Sequence, residues 1–476
     1  MYAALAVANL STSSATHPQL VEEEVLRHLV PILQSEEVQE VIAYVLNALG
    51  NFACSNIMWH ELQQMNAADG ILTILKQTQR EEIRINCLFC LANLTADPWH
   101  RKWMMGKEVY EIIWGYMQDP NYNIMWYSLA ILRGLAVESE AQELFPSMGL
   151  VPLLTGMCNS QCPQTLKTLS MDLLLHFSMY KGNAGMMMEK EVSQVIELAG
   201  RGTGHVEYVP IGVAIIANIC ESVDLHDRIV RTVQDLRYLA RYKRSLASTA
   251  SDNRHVIRAL MLLSLSPKYH HVILTTGAMA NVCPIAMTER LSIAMRANAL
   301  QMMAAVCATH PTTPTATDVI DLMFLICNSM ENVDIRRAAA LVIANASSDA
   351  SNLANLAHKP YLEALSIAIS KSQDSVLVDY LMQFFHNIVK LDGKCGSALA
   401  VSSCFGLFSL MFRVSNHGLF PSSVCCCSYN QACSQPVAST VTSSTMQGPQ
   451  CMLQKTVAEL FSWRSCRNTG TSQVTR

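Results

Sequence analysis

The hexapeptide CLANLT at residues 90–95 places Asn93 between a small residue and an apolar one, at the end of a long apolar run. Comparable segments recur around other asparagines along the chain. They are AVANLS at 6–11, ALGNFA at 48–53, IIANIC at 215–220, VIANAS at 342–347 and FFHNIV at 384–389. Four more segments of this kind carry another residue where the asparagine would stand, namely Gly134, His176, Ser264 and Ala305. We refer to these ten positions as the anchors.

The anchors are separated by 42, 42, 41, 42, 42, 46, 41, 40 and 42 residues. A period of about 40–47 residues is typical of helical solenoids, in which each repeat packs on its two neighbours. Each period predicts a short helix, a break at small residues, an apolar second helix and a long third helix ending at the anchor. The breaks are predicted at residues 68–70, 148–149 and 276–277, where glycine would allow a sharp turn.

This pattern resembles the armadillo repeat family, whose third helix has a similar asparagine signature after a basic or polar start. That start is represented here by Arg84, Lys167, Arg296 and Arg336. The resemblance implies an all-α fold, a right-handed α-solenoid of about nine to ten three-helix armadillo-type repeats over residues 1–393. Because the first anchor is Asn9, the first repeat is expected to keep only its third helix. We interpret this as truncation rather than as a face covered by another chain.

Residues 394–476 break the period and are rich in cysteine and serine. We expect an irregular, disordered tail, because the composition matches no folding pattern. An alternative is a membrane tether in which Cys425, Cys426 and Cys427 are S-acylated beside the apolar run 398–412. That run is shorter than the roughly 20 residues that a spanning helix needs. Binding to a membrane is therefore expected only if the tail is genuine and acylated.

Composition narrows the classes of function. The formal net charge is −4, so there is no basic excess to neutralise the phosphates of a nucleic acid. Nine of the 17 cysteines lie between Cys54 and Cys327, mostly inside apolar runs. Free buried thiols suit a reducing compartment, and we expect a cytoplasmic and possibly also nuclear protein. The short N-terminal apolar run lacks a basic start, which disfavours a secretory signal.

The resemblance implies that the third helices line a concave groove, where the anchor asparagines bond the backbone of an extended partner segment. An amide side chain offers both a donor and an acceptor and so pairs with any peptide group. The matching residues are Asn9, Asn51, Asn93, Asn218, Asn345 and Asn387. Arg84, Lys167, Arg296 and Arg336 could contact acidic groups of the partner. The alternatives are that the asparagines only satisfy helix ends and that the basic residues form a solvated edge.

The ladder of amides is interrupted at Gly134, His176, Ser264 and Ala305, so we expect the first three anchors to be the better binding sites. Nuclear import adaptors resemble this fold but carry tryptophan four residues before the asparagine. None of the ten residues at this position in the present sequence is a tryptophan, which disfavours a nuclear transport adaptor. The residues found there are Leu5, Asn47, Phe89, Ala130, Asp172, Ala214, Leu260, Gln301, Leu341 and Gln383.

Two further clusters allow two interpretations each. A basic cluster between Arg228 and Arg244 could bind acidic or phosphorylated partners, although a polar helix face and a loop explain it equally simply. Aromatic residues concentrate between Trp99 and Tyr127. They would form a binding hot spot if exposed, but their helical spacing favours the core.

No pattern in the sequence indicates catalysis. Gly202-Thr203-Gly204 lacks the third glycine and the preceding strand of a nucleotide-binding fingerprint. Cys87 and Cys90 have no second pair to complete a zinc site. We therefore expect no enzyme activity, no cofactor, no metal and no small-molecule substrate, and instead a scaffold that binds a protein or peptide.

Overall fold

A computed structural model describes residues 1–35, 38–201, 208–232, 250–352 and 356–395. These residues form helices and turns, with no strand in any of the five ranges, so the all-α prediction is confirmed. The last described helix continues to Cys395. Most of the predicted tail and Cys425–Cys427 lie outside the described residues, as do Gly202-Thr203-Gly204 and the Arg237–Arg244 part of the basic cluster.

Most of the α-helices follow one another in sets of three, and we number the repeats by their anchors, so that repeat 1 contains Asn9 and repeat 9 contains Asn345. In the first half they are α1 Tyr2–Ser11, α2 His17–Glu22, α3 Val25–Leu29, α4 Gln39–Ala53, α5 Asn56–Gln64, α6 Ala67–Gln77, α7 Glu81–Leu94, α8 Pro98–Gly106, α9 Val109–Gly115, α10 Tyr122–Leu135, α11 Ser139–Ser147, α12 Leu150–Asn159 and α13 Gln164–Ser178. In the second half they are α14 Ala184–Met187, α15 Lys190–Arg201, α16 Val209–Ile219, α17 His226–Thr232, α18 Ala250–Ser264, α19 His270–Thr275, α20 Val282–Met287, α21 Ile293–Cys307, α22 Ala316–Cys327, α23 Val333–Ala346, α24 Lys359–Lys371 and α25 Ser375–Cys395.

The third helices form one continuous layer. Each packs against the third helix before it and the one after it, in the order α1, α4, α7, α10, α13, α16, α18, α21, α23 and α25. Helix α7 is an example of how these helices are covered, because its residues Cys87, Leu88 and Leu91 are completely buried. Because a third helix is covered from three directions, its sequence is apolar nearly all round, as expected for a helix sandwiched in a solenoid.

The turns between first and second helices use left-handed backbone. Gly149 and Gly277, at two predicted breaks, have φ of 90° and 72°. The third break was placed wrongly: Asn66 takes the left-handed conformation there, whereas Gly70 lies inside α6. Asparagine tolerates this conformation better than most residues because its short side chain can bond locally. The equivalent residues elsewhere are Glu24 and Glu108.

The structure places one anchor two residues earlier than the sequence pattern predicts. The hydroxyl of the residue two positions after an anchor bonds the carbonyl three residues earlier, as Ser347 does to Ala344 at 2.7 Å. Ser264 bonds Met261 in the same way at 2.6 Å. Its own carbonyl bonds the ring of His270, six residues later, just as the carbonyl of Cys220, two residues after Asn218, bonds His226, so Leu262 is the anchor. The interval of 46 residues thereby becomes 44, and the spacing is more regular than the sequence suggested.

Repeat 9 is shorter than the others at its start. Pro311 and Pro314 follow α21, and no α-helix forms between Ala308 and Thr315. Proline cannot donate to a helical hydrogen bond, which accounts for the break. Helix α22 then begins at a capping box in which Thr315 and Asp318 satisfy each other's backbone N–H groups.

Among the described helices, none alone is long and apolar enough to cross a bilayer. One pair bent by 111°, Val209–Ile219 with Val223–Thr232, meets the length and composition test only when the two helices are taken together.

Candidate functional site: the anchor asparagines

Five of the six predicted asparagines bond the repeat that precedes them. Each Nδ2 donates to the end of the preceding third helix. The acceptors are Ser11 Oγ for Asn51 at 3.0 Å, Gly50 O for Asn93 at 2.9 Å, Ser178 Oγ for Asn218 at 2.9 Å, Ala304 O for Asn345 at 2.8 Å, and Ala344 O for Asn387 at 3.1 Å. Asn9 lies on α1, the first described helix, and is exposed.

These bonds use only half of each amide. Among the described residues, no donor reaches Oδ1 of Asn51, Asn93, Asn345 or Asn387. All four residues are partly exposed on their helices. Asn218 differs, because its Oδ1 accepts a hydrogen bond from Nη1 of Arg258 at 2.9 Å. A structural role and a binding role are therefore compatible at four anchors, since the first uses an N–H group and leaves a carbonyl oxygen for a ligand.

Gly134 cannot be replaced by asparagine within this packing. A Cβ at Gly134 would lie 2.1 Å from Oγ1 and 2.3 Å from Cβ of Thr95. The Thr95 side chain, which bonds Ala92 O at 2.6 Å, thus occupies the space of the missing side chain. The side chain of His176 forms a hydrogen bond within its own helix instead, from Nδ1 to Asp172 O at 2.8 Å.

The predicted basic residues connect repeats. The guanidinium of Arg296, which is 5% exposed as a residue, donates to Ala286 O at 2.6 Å and pairs with both carboxylate oxygens of Glu331. Burial alone would raise the pKa of Glu331, but hydrogen bonds from Arg296 and Asn332 outweigh it and lower that pKa. Because these contacts occupy the guanidinium within the fold, Arg296 is not part of the binding surface proposed below.

The other three basic residues are more accessible. Arg84 lies over the ring of Tyr116, with 5.4 Å between Cζ and the ring centroid, and is 3.7 Å from Asp119. Arg336 donates from Nε to Ile326 O at 3.0 Å, which caps the end of α22. Lys167 is half-buried near Cys158. Their contact with a partner stays a prediction.

A recurrent cap was missed by the sequence analysis. In eight repeats a side chain donates to the carbonyl six residues earlier, at the end of the third helix. The donors are His17, Trp59, Arg101, Gln142, Asn183, His226, His270 and Asn352, at 2.6–3.1 Å. They are 41–44 residues apart except for one interval of 82, which skips repeat 9. Since five residue types serve, only the spacing could have revealed them.

The aromatic cluster does not lie in the core. Trp99, Tyr122 and Trp126 are 41%, 52% and 38% exposed, and the other five aromatic residues are half-buried. The interpretation favoured by their helical spacing is therefore wrong, and the alternative of an exposed surface remains.

Nucleophilic and metal-binding arrangements are not apparent in the described part of the chain. Burial raises the pKa of Cys158 and of Cys220 to about 12, which keeps both thiols protonated. Cys87, Cys90, Cys220, Cys283 and Cys307 are buried, whereas Cys327, expected inside an apolar run, is exposed. No group of three or more metal-ligating side chains occurs among the residues that were placed.

The fold is similar to that of solved helical-repeat structures. One is a crystal structure of an engineered protein from the Northeast Structural Genomics Consortium, with a TM-score of 0.69 and 16% identity, covering 81% of this chain and 94% of that chain. Another comes from a study of a conserved phosphorylation switch that controls the interaction between cadherin and beta-catenin. Its TM-score is 0.64 and its identity 13%, covering 86% of this chain and 87% of that one.

No protein-family model matches the chain. No curated protein matches it either. The fold and its similarity to these solved structures place the chain in the class of α-solenoids built from helical repeats.

Proposed function

We propose that this chain is an armadillo-type scaffold that holds an extended segment of a partner protein along its layer of third helices. The observation that supports this best is the pair of free Oδ1 atoms on Asn51 and Asn93, at equivalent positions of adjacent third helices. Each can accept a backbone N–H of a ligand, for about 1 kcal/mol. The similarity to a structure from a study of the cadherin and beta-catenin interaction is consistent with protein binding.

The amides are proposed to form two short tracks rather than one. Asn51 and Asn93 belong to adjacent repeats, as do Asn345 and Asn387. Between the tracks, Asn218 is the single asparagine anchor, and Arg258 already occupies its acceptor. A partner would therefore be held by its backbone at one or both ends and by its side chains in the middle.

The role is proposed to be non-catalytic and to require no cofactor. Burial raises the pKa of Cys158 and of Cys220 to about 12, so neither thiol is suited to act as a nucleophile, which requires ionisation. The free buried thiols also support a reducing compartment, the cytoplasm and possibly the nucleus. Imaging of the tagged chain in cells tests the location.

The groove is tested with peptides selected from a random display library on the full chain. Their affinity is then measured for the unsubstituted chain and for N51A/N93A by fluorescence polarisation. Loss of two hydrogen bonds of about 1 kcal/mol each predicts about 30-fold weaker binding. Asn56→Ala is the control, because Asn56 is exposed on the first helix of its repeat. The proposal is wrong if N51A/N93A lowers the stability of the fold but leaves every affinity unchanged.

A further inference from the structure

Three aromatic rings form a continuous surface on adjacent third helices. The ring centroids of Phe89 and Tyr127 are 5.7 Å apart, and those of Trp126 and Tyr127 are 5.0 Å apart. Phe89 and Tyr127 are half-buried, and Trp126 is 38% exposed. We call Phe89, Trp126 and Tyr127 the aromatic platform. Large aromatic side chains left open to solvent in this way are typical of binding hot spots rather than of a core.

The platform lies beside the first track of amides. Phe89 precedes Asn93 by four residues on α7, and Tyr127 precedes the anchor Gly134 by seven residues on α10. Residues four and seven apart share one face of a helix. The platform and the anchors therefore face the same side of the third-helix layer. The amide track ends at repeat 3, and aromatic rings cover the surface where it ends.

Phe89 reaches its position because Gly50 has no side chain. A Cβ at Gly50 would lie 2.4 Å from two ring carbons of Phe89. The carbonyl of the same Gly50 accepts the hydrogen bond from Asn93 at 2.9 Å. Gly50 thus contacts both the ring of Phe89 and the amide of Asn93. This fixes the position of the platform relative to the first track of amides.

A positive charge lies on the same face. Arg133 follows Trp126 by seven residues on α10, or about 10 Å along the helix axis. Its side chain is 47% exposed, and Nε is 3.5 Å from a carboxylate oxygen of Asp172. Such an exposed ion pair contributes little to stability, so Arg133 remains available to a carboxylate of a ligand.

We propose that the aromatic platform binds a large apolar side chain of the partner segment, and that an adjacent acidic residue of that segment pairs with Arg133. This rests on the proposed function, because the amide of Asn93 holds the backbone of the same segment. Neighbouring side chains of an extended chain point to opposite sides. A segment that crosses the third helices between Trp126 and Arg133 therefore directs one side chain toward Trp126 and the next, in the opposite direction along the helix axis, toward Arg133.

The test repeats the peptide selection on the full chain and on two variants. W126A removes the most exposed ring of the platform. W99A is the matched control, because Trp99 is 41% exposed but lies on the first helix of its repeat. Selection on the unsubstituted chain is expected to enrich a leucine, methionine or aromatic residue next to an acidic one. These peptides should bind W126A about 10- to 100-fold more weakly and W99A unchanged.

A third variant tests the acidic residue. R133E should exchange the preference for an acidic neighbour for a basic one without removing the preference for the apolar residue. If peptides are selected and depend on Asn51 and Asn93 but not on Trp126, the platform proposal is overturned and the proposed function stands. If no peptide is selected at all, the proposed function itself fails. Self-association that W126A abolishes would instead identify a second copy of the chain as the occupant and overturn the proposal of a partner segment.

Discussion

Nδ2 of Asn93 donates a hydrogen bond to the carbonyl oxygen of Gly50, one repeat earlier, at 2.9 Å. This bond joins the ends of two adjacent third helices, where the last carbonyl groups of a helix have no partner within the helix. Four other anchor asparagines bond the preceding repeat in the same place. In these five repeats, the residue that marks the repeat in the sequence is thus also a residue that attaches it to the preceding repeat.

Substitution of Asn93 should lower stability in a way that depends on which end of the amide is used. N93A loses one hydrogen bond, or about 1 kcal/mol. N93D should cost more, because a carboxylate would face the carbonyl of Gly50. Urea unfolding followed by circular dichroism measures both. N9A and N9D are the controls, since Asn9 is exposed on α1. Equal stability of N93A and the unsubstituted chain would contradict an attaching role.

The ion pair between Arg296 and Glu331 should make stability depend on acidity. The pKa of Glu331 is lowered in the folded state, so its contribution is complete above the ordinary glutamate pKa of about 4.3. It is lost as the pH falls below that value and through the folded pKa. E331Q should therefore flatten the loss of stability in this range, as measured by urea midpoints between pH 7 and pH 3. E23Q is the control, because Glu23 is exposed.

Arg296→Met tests the same pair from the other side. The side chains of Arg296 and Glu331 are only 6% and 10% exposed, so removing one partner leaves a nearly buried charge. The expected cost is about 3 kcal/mol. The double variant R296M/E331Q should recover part of this loss, because it leaves no unpaired charge. If the double variant is as unstable as the sum of the two single ones, the pair is not coupled.

The period of the anchors was sufficient to predict the architecture, because burial from three directions forces every third helix to be apolar. It also located the asparagines that join the repeats. The predictions that were wrong concern positions at which different repeats carry different residue types. Asn66 replaces glycine at a left-handed turn, and Leu262 replaces the misassigned Ser264. Asn218 and Arg296 form their hydrogen bonds with residues some 35–40 positions away in the sequence. A local sequence pattern therefore could not predict which of their polar groups remain free.

Asn352, one of the residues of the recurrent cap, should contribute to local stability through two hydrogen bonds. Asn352 donates to Ala346 O at 2.8 Å and to Pro311 O at 2.7 Å, and the residue is 7% exposed. N352A leaves the buried carbonyl of Ala346 and the partly buried carbonyl of Pro311 without this donor, at a cost of about 2 kcal/mol. Amide hydrogen exchange should quicken at residues 343–352. The control is N56A, and unchanged exchange in N352A would rule out the capping role.

Gly134 predicts a clash that a second substitution relieves. In G134A the new Cβ would meet the Thr95 side chain at 2.1–3.0 Å, and Cβ of Thr95 cannot move without its backbone. Overpacking of this kind costs about 1–3 kcal/mol, more than the roughly 1 kcal/mol that alanine gains over glycine in a helix. In T95G/G134A the space is free, so the second substitution should restore much of the stability that G134A loses. The urea midpoints of the two single variants and the double variant form a thermodynamic cycle that measures this coupling. Additive effects would show that something other than Thr95 excludes a side chain, and hence an asparagine, from this anchor.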